Sequence, residues 1–315
     1  MNIVILDAKT LANTSLSPLQ KLGQVTVYSN TPPTQVISRC QHADIIITNK
    51  VILNASTIAC LPNLKLICVA ATGTNNIDLN AAKANNISVQ NVAGYSTPSV
   101  VQLTFTLLGN LMGNVHRYNN DCKQGLWQKS DMFCRLDHPI TEINAKQFVI
   151  VGYGALGKAV ANVAHAFGAH VVIAERRHSK KTRAGRTDFD QALRQADIIS
   201  VHCPLTEHTK NLFDESVLSL LKPSAVLINT ARGGIVNEQA LVDALNNKQL
   251  AGAGIDVLSQ EPADANNPLL HYCGENLLVT PHIAWASKES ITRLVQQIAD
   301  NIQKFIKSST TNKVV

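Results

Sequence analysis

The 315-residue sequence predicts an α/β fold of two doubly wound parallel-sheet domains with a cleft between them. Three observations carry that expectation. Short apolar, β-branched runs alternate with helix-period segments almost throughout, the pattern of parallel α/β architecture. The runs fall into two successive series, each long enough for its own sheet. The length also suffices for two separate cores.

The first series comprises "IVIL" (3–6), "VTVY" (25–28), "DIIIT" (44–48), "LKLICVA" (64–70) and "ISVQ" (87–90). The second runs through "QFVIVGYG" (147–154), "HVVIA" (170–174), "DIISVHC" (197–203), "AVLINTA" (225–231), "GAGIDV" (252–257) and "NLLVTP" (276–281). The joint between domains is expected at "GYSTPSVVQ", where Thr97 suits an N-cap and Pro98 a first helical position, opening a long apolar helix over roughly 98–118. Near the C-terminus, Ile291, Leu294, Val295, Ile298, Ile302 and Phe305 recur at helical spacing. A helix there, over about 287–307, can fold back on the first domain. The expected division is therefore 1–97 plus 287–315 for one discontinuous domain and 98–286 for the other.

Bulk properties narrow the function. Apolar residues make up 45% and charged residues 16%, ordinary for a soluble globular chain. Neither an eighteen-residue apolar run nor a basic, then apolar leader occurs, so no membrane span is expected and a cytoplasmic setting is. The net charge of +6 is scattered apart from "ERRHSKKTRAGR" (175–186), so no nucleic-acid partner is expected. That cluster reads chiefly as a solvated loop, with a phosphate-facing rim as the sharper alternative. The seven cysteines form no CxxC pair and show no zinc-ligand spacing, so no metal is expected, and Cys68 and Cys203 read as small core residues.

The strongest local motif is "VIVGYGALGKAVANVAHAFGAHVVIAE". Gly152, Gly154 and Gly157 form GxGxxG directly after a strand, and Glu175 follows eighteen residues after Gly157. In this pattern the first glycine allows a tight turn, the second lets the backbone approach a pyrophosphate, and the third lets helix and strand pack closely. Free N–H groups at the helix start, around Ala155 and Leu156, then face phosphates. Leu156, Ala159, Val160, Val163 and Phe167 are expected on the buried face of that helix. An acid at the position of Glu175 accepts hydrogen bonds from the adenosine ribose. A lone GxGxxG would be weak; between strand and helix, with the acid correctly spaced, it points to a Rossmann-like dinucleotide site. NAD(H) is favoured because Glu175 repels a 2′-phosphate. Arg176 and Arg177 oppose that repulsion, leaving NADP(H) as the alternative.

"VLINTARGGIVN" (226–237) raises a separate question, because it places Arg232 at the end of a run that reads as buried sheet. An unpaired buried charge costs several kcal/mol, so Arg232 either reaches water or awaits an anion. Glu261 in "GIDVLSQEPA" and His282 after "NLLVTP" also fall at strand ends, where open parallel sheets bind ligands. Singly, each has a plain explanation: a loop charge, an acid before proline, a solvated histidine. Together, beside a dinucleotide, they match reduction of a ketone. Histidinium supplies the proton, a neighbouring carboxylate favours its charged form, and a guanidinium grips a substrate carboxylate by paired hydrogen bonds.

The motifs "ATGTNNIDLNAAKANNISVQNVAGYSTPSVVQ", "VGYGALG", "HCPLT", "INTARGGIVNE", "GAGIDVLSQEP" and "PHIAWAS" run nearly end to end. In that order they resemble the D-isomer-specific 2-hydroxyacid dehydrogenases. The resemblance implies that Arg232, Glu261 and His282 are the catalytic arginine, glutamate and histidine, and that the first domain is split. It implies NAD in the cleft and a homodimer built around the second domain. It also implies that the backbone of Ala71, Thr72 and Gly73 binds the substrate carboxylate, that Pro204, Thr230, Ala231 and Asp256 line the cofactor, and that Lys50 and Trp285 border the substrate. His116, His138 and His202 read as structural, with no partner evident. Glu261 stands where the formate dehydrogenase branch carries glutamine, and the chain stops shortly after the return helix, unlike long phosphoglycerate dehydrogenases. "ATGTNNID" and "AGYSTPSVVQ" look most like the branch that reduces hydroxypyruvate to D-glycerate with NADH, glyoxylate to glycolate being a second reaction. The alternatives are a family member acting on another small 2-keto acid, or a dinucleotide-sensing binding module like the C-terminal-binding-protein corepressors.

Overall fold

The computed structural model describes residues 1–307 and 313–315; residues 308–312, within the expected return segment 287–315, lie outside the described residues. The chain divides into two units, Met1–Ser96 with Ala286–Val315, and Thr97–Trp285.

In the first unit, β1 (Asn2–Ile5), β2 (Gln24–Val27), β3 (Ile45–Thr48), β4 (Leu66–Val69) and β5 (Ser88–Gln90) form a sheet in the order β2-β1-β3-β4-β5. In the second, β6 (Gln147–Val151), β7 (His170–Ile173), β8 (Ile198–Val201), β9 (Val226–Asn229), β10 (Gly252–Ile255) and β11 (Leu277–Val279) take the order β7-β6-β8-β9-β10-β11. All pairings between these strands are parallel. The expected runs all yield strands, and most are shorter than the run. Thr230 and Ala231, for example, continue the apolar pattern but leave the ladder to begin a loop, because burial persists past the last paired residue. Strands β3, β4, β8, β9 and β10 are buried at every position. Helices cover both faces of such sheets, which is why these runs are continuously apolar rather than alternating.

The second sheet reverses direction at β6: the chain steps outward to β7 and returns to β8 on the other side. A crevice therefore opens at the carboxyl ends of β6 and β8. Beyond β7, a single parallel bridge joins Ala174 to Thr187, so the segment carrying Glu175 is held to the sheet edge.

Three helical expectations need correction. The helix expected over 98–118 is two, Thr97–Gly113 and Val115–Lys123, separated by Asn114 at φ 49°. Asparagine tolerates the left-handed conformation that stops a helix. Thr97 lies inside the first of these helices rather than capping it. In the helix Ala155–Ala166 the buried stripe is Gly157, Val160, Ala161 and Ala164, rotated from the expected face. Small side chains let this helix lie close to its neighbours, while Phe167 stays exposed and stacks on Phe105 at 5.4 Å.

The return helix spans Lys288–Ile306, capped by Ser287, whose hydroxyl accepts from the Ser290 amide at 3.1 Å. It buries Ile291, Leu294, Val295, Ile298 and Ile302, while Phe305 is only half-buried. Arg293 Nε and Asn301 Nδ2 donate to the carbonyls of Tyr95 and Asn91 at 3.0 and 3.1 Å, tying the helix to the first unit.

Candidate active site

The glycine loop leaves β6 through Gly152 at φ 98°. A Cβ on Gly152 would lie 2.5 Å from the Cys203 amide nitrogen, and one on Gly157 would lie 2.1 Å from the Gly152 carbonyl oxygen, so both close approaches require glycine. At Gly154 an added Cβ meets nothing within 4 Å. That position faces open space, as a pyrophosphate cradle must. Gly154 caps the helix Ala155–Ala166 with no side-chain hydrogen bond, leaving the first-turn N–H groups of Ala155 and Leu156 for an anion. A cavity of about 1150 Å³ extends from this loop, past the segment 174–186, to residues 202–214. Its walls lie wholly within the second unit, and loop, helix start and cavity together fit a dinucleotide.

Glu175 lines this cavity, but its side chain is only 2% exposed. Its carboxylate accepts from the amides of Arg176 and Arg183 at 2.8 and 3.1 Å, from Arg183 Nε at 2.8 Å, and through a second, short contact from Arg183 Nη2. The Arg183 fork holds the carboxyl well below the usual carboxylate range, so it stays ionised. Sequence reasoning missed Arg183. The signal was the basic cluster 175–186, taken mainly as a solvated loop. That reading suits the exposed Lys180 and Lys181, whereas Arg176, Arg177, His178, Arg183 and Arg186 line the cavity. Pro204 lines it too.

Arg232, Glu261 and His282 follow β9, β10 and β11, three adjacent strands of one sheet, at their carboxyl ends. His282 Nδ1 lies 2.6 Å from Glu261 Oε2, with the two side chains 25% and 33% exposed. The other glutamate oxygen accepts the Leu258 amide at 3.1 Å, fixing the carboxylate as the ring's partner. Nε2 is then the ring nitrogen left for a proton transfer.

His282 has φ 54°, an uncommon conformation for a residue with a Cβ. Asp256 holds it there. Its carbonyl accepts the His282 amide at 2.7 Å, while its carboxylate accepts the amides of Ile283 and Ala284, each at 2.9 Å, and the Thr280 hydroxyl at 2.6 Å. Burial pushes the Asp256 carboxyl above its ordinary range, against the pull of those hydrogen bonds.

Asn229 does comparable work for Arg232. Its side chain accepts the Ala231 amide and donates to the Arg232 carbonyl, both at 3.0 Å, bracketing the turn. Gly233 follows because a Cβ there would overlap the Leu258 carbonyl at 1.7 Å. Arg232 is exposed and donates Nη1 to the Ala231 carbonyl at 2.7 Å; among the described residues no carboxylate pairs with it. The guanidinium at the strand end thus has capacity for an anion. Thr230 turns its hydroxyl inward to Thr104 at 3.1 Å, leaving its backbone for any ligand, and Ala231 is buried beside it.

In the first unit, Ala71, Thr72 and Gly73 follow β4. The Thr72 hydroxyl donates to the Val92 carbonyl at 3.1 Å and Asn91 Nδ2 to the Thr72 carbonyl at 2.7 Å, while among the described residues the three main-chain N–H groups of 71–73 donate to no acceptor. The Lys50 amide is held by Asp7 at 2.7 Å, and Trp285 ends the second unit half-buried.

The three histidines for which the sequence shows no partner have one in the fold. His116 Nε2 meets the Glu275 carbonyl at 2.9 Å, His138 Nε2 pairs with Asp121 at 3.0 Å, and His202 Nε2 meets Ser200 Oγ at 2.8 Å. His202 also lines the cavity beside the glycine loop, and burial pushes its pKa down to about 4, so it is neutral near pH 7. Cys68 is buried, as expected for a core residue. Cys203 is only half-buried and lines the cavity, because it comes after the last paired residue of β8.

A parallel α/β unit with a glycine-loop cradle and a carboxylate-paired histidine at neighbouring strand ends defines a dinucleotide-dependent oxidoreductase. The chain belongs to the D-isomer specific 2-hydroxyacid dehydrogenase family, whose NAD binding domain matches residues 105–284. It is 42% identical to a glycerate dehydrogenase of Methylorubrum extorquens over 282 residues, covering 90% of this chain and 88% of that protein. It is 36% identical to a hydroxypyruvate reductase of Blautia hydrogenotrophica over 322 residues, covering 100% and 99%. Among solved structures it resembles an acyclic imino acid reductase in complex with NADPH and D-Arg, with TM-score 0.86, 28% identity and complete coverage of both chains.

Proposed function

We propose that the protein reduces hydroxypyruvate to D-glycerate with NADH, and glyoxylate to glycolate as a secondary reaction. The observation that carries this reading is the 2.6 Å contact of His282 with Glu261 at a strand end next to that of Arg232. Relatives named for glycerate and hydroxypyruvate chemistry support the substrate class. When bound, NADH supplies the hydride to the carbonyl carbon. Gly152, Gly154, Ala155, Leu156 and Gly157 cradle its phosphates; Glu175, Pro204, Thr230, Ala231 and Asp256 line the remainder. Arg232 holds the substrate carboxylate, and in the first unit the amides of Ala71, Thr72 and Gly73, which donate to no acceptor among the described residues, suit an anionic group. His282 gives a proton from Nε2 to the carbonyl oxygen, which becomes the hydroxyl, and Glu261 keeps Nδ1 protonated and the ring oriented.

The test is steady-state NADH oxidation with hydroxypyruvate, glyoxylate, pyruvate and phosphohydroxypyruvate. The highest kcat/KM is expected for hydroxypyruvate. A clear preference for another of these acids contradicts the substrate assignment, and no turnover of any of them rejects the activity.

A homodimer is proposed on the second unit. Trp127, Met132, Phe133, Leu136 and Ile140 are all exposed within one short stretch, Phe133 at 91%. Exposed large apolar side chains this close together in the chain support an interface there. Sedimentation equilibrium is expected to give twice the chain mass, and Phe133→Asp with Leu136→Asp the single-chain mass. A dimer surviving both substitutions contradicts this placement.

A further inference from the structure

We propose that Arg183 makes the adenosine end of the cavity competent for a ribose 2′-phosphate, so that the protein binds NADP(H) about as well as NAD(H). This rests on the dinucleotide reading of the glycine loop and concerns which form that loop receives.

Selection of NAD(H) by an acid at the ribose needs free acceptor positions and an uncompensated charge. Glu175 has neither. A carboxylate offers about four acceptor positions, and four N–H donors from Arg176 and Arg183 already converge on this one. The ribose diol therefore finds no free lone pair while Arg183 stays in place. The repulsion that would exclude a 2′-phosphate is also cancelled at its source, because the guanidinium is bound to both carboxylate oxygens.

Arg183 itself retains donors. Its side chain is 50% exposed and lines the cavity, and among the described residues Nη1 makes no hydrogen bond. A guanidinium bound along one edge can present the other edge to phosphate oxygens. Its neighbours reinforce this. Arg177 is tied to Asp214 and Ser216 at 3.4 and 3.0 Å, and Arg186 to the Ala174 carbonyl at 3.3 Å, which anchors positive charge on the same wall. Arg176 adds a further cation there. Glu207 and Asp214 are the other acids of the lining, so cations outnumber anions. Such a wall favours the more negative ligand.

Equilibrium titration by calorimetry, with NADH and NADPH as separate probes, tests this without reference to turnover. The wild-type protein is expected to bind NADPH with a Kd within about tenfold of that for NADH; a larger gap against NADPH overturns the inference. Arg183→Gln is expected to weaken NADPH by roughly tenfold while NADH binds no more weakly. Equal weakening of both overturns the role of Arg183. Glu175→Gln, which releases the guanidinium, is expected to tighten NADPH, and weaker NADPH binding contradicts the proposal. Should Arg183→Gln fail to fold, the wild-type comparison decides. Failure of both dinucleotides to bind overturns the dinucleotide reading, and the inference with it.

Discussion

Replacing His282 by Ala is expected to lower the rate of 2-keto acid reduction by about 10²–10⁴. Hydride arrival leaves negative charge on the carbonyl oxygen, and without the ring that oxygen must take its proton from water. The geometry makes the prediction specific, because Nδ1 is engaged by Glu261 and only Nε2 can deliver the proton. Stopped-flow measurement of NADH consumption checks this, and a variant that keeps near-normal rates would remove His282 from the proton-donor role.

Arg232→Lys is expected to lower kcat/KM for hydroxypyruvate by about 10–100-fold. A hydrogen bond to a charged group contributes about 1.5–3 kcal/mol, and lysine keeps the charge while losing the planar fork that meets both carboxylate oxygens. The Asn229 bracket and the close approach at Gly233 set the local backbone independently of this side chain, so the loss should appear in kinetics rather than in thermal stability. If the guanidinium also polarises the reacting carbonyl, kcat falls together with the rise in KM; if it only anchors the carboxylate, KM alone rises. Unchanged values of both would contradict the clamp.

Much of this site is legible in the sequence. The strands follow from runs of β-branched residues whose burial is dictated by helices on both faces. The glycine spacing is legible because Gly152 and Gly157 have no sterically permitted alternative. The positions of Arg232, Glu261 and His282 at strand ends follow once the strands are placed. The helix break at Asn114 and the rotated face of the helix Ala155–Ala166 were less accessible. Both depend on how closely neighbouring elements approach, and hydropathy periodicity carries little information about distance.

The left-handed His282 and its brace by Asp256 illustrate the same limit, since these residues are far apart in sequence and β10 and β11 bring them together. Arg183 is the plainest case. Sequence determined that an acid would stand just past the second strand of the glycine-loop unit and that basic residues would follow it. Which of those residues turns back to fill the acid's lone pairs was decided only by the tertiary structure. Covalent spacing specifies which backbone conformations are possible and which faces are apolar, because both are local properties. The occupancy of a hydrogen-bond acceptor is set by competition among all donors that the folded chain brings within about 3 Å, and that competition exists only once the chain has folded.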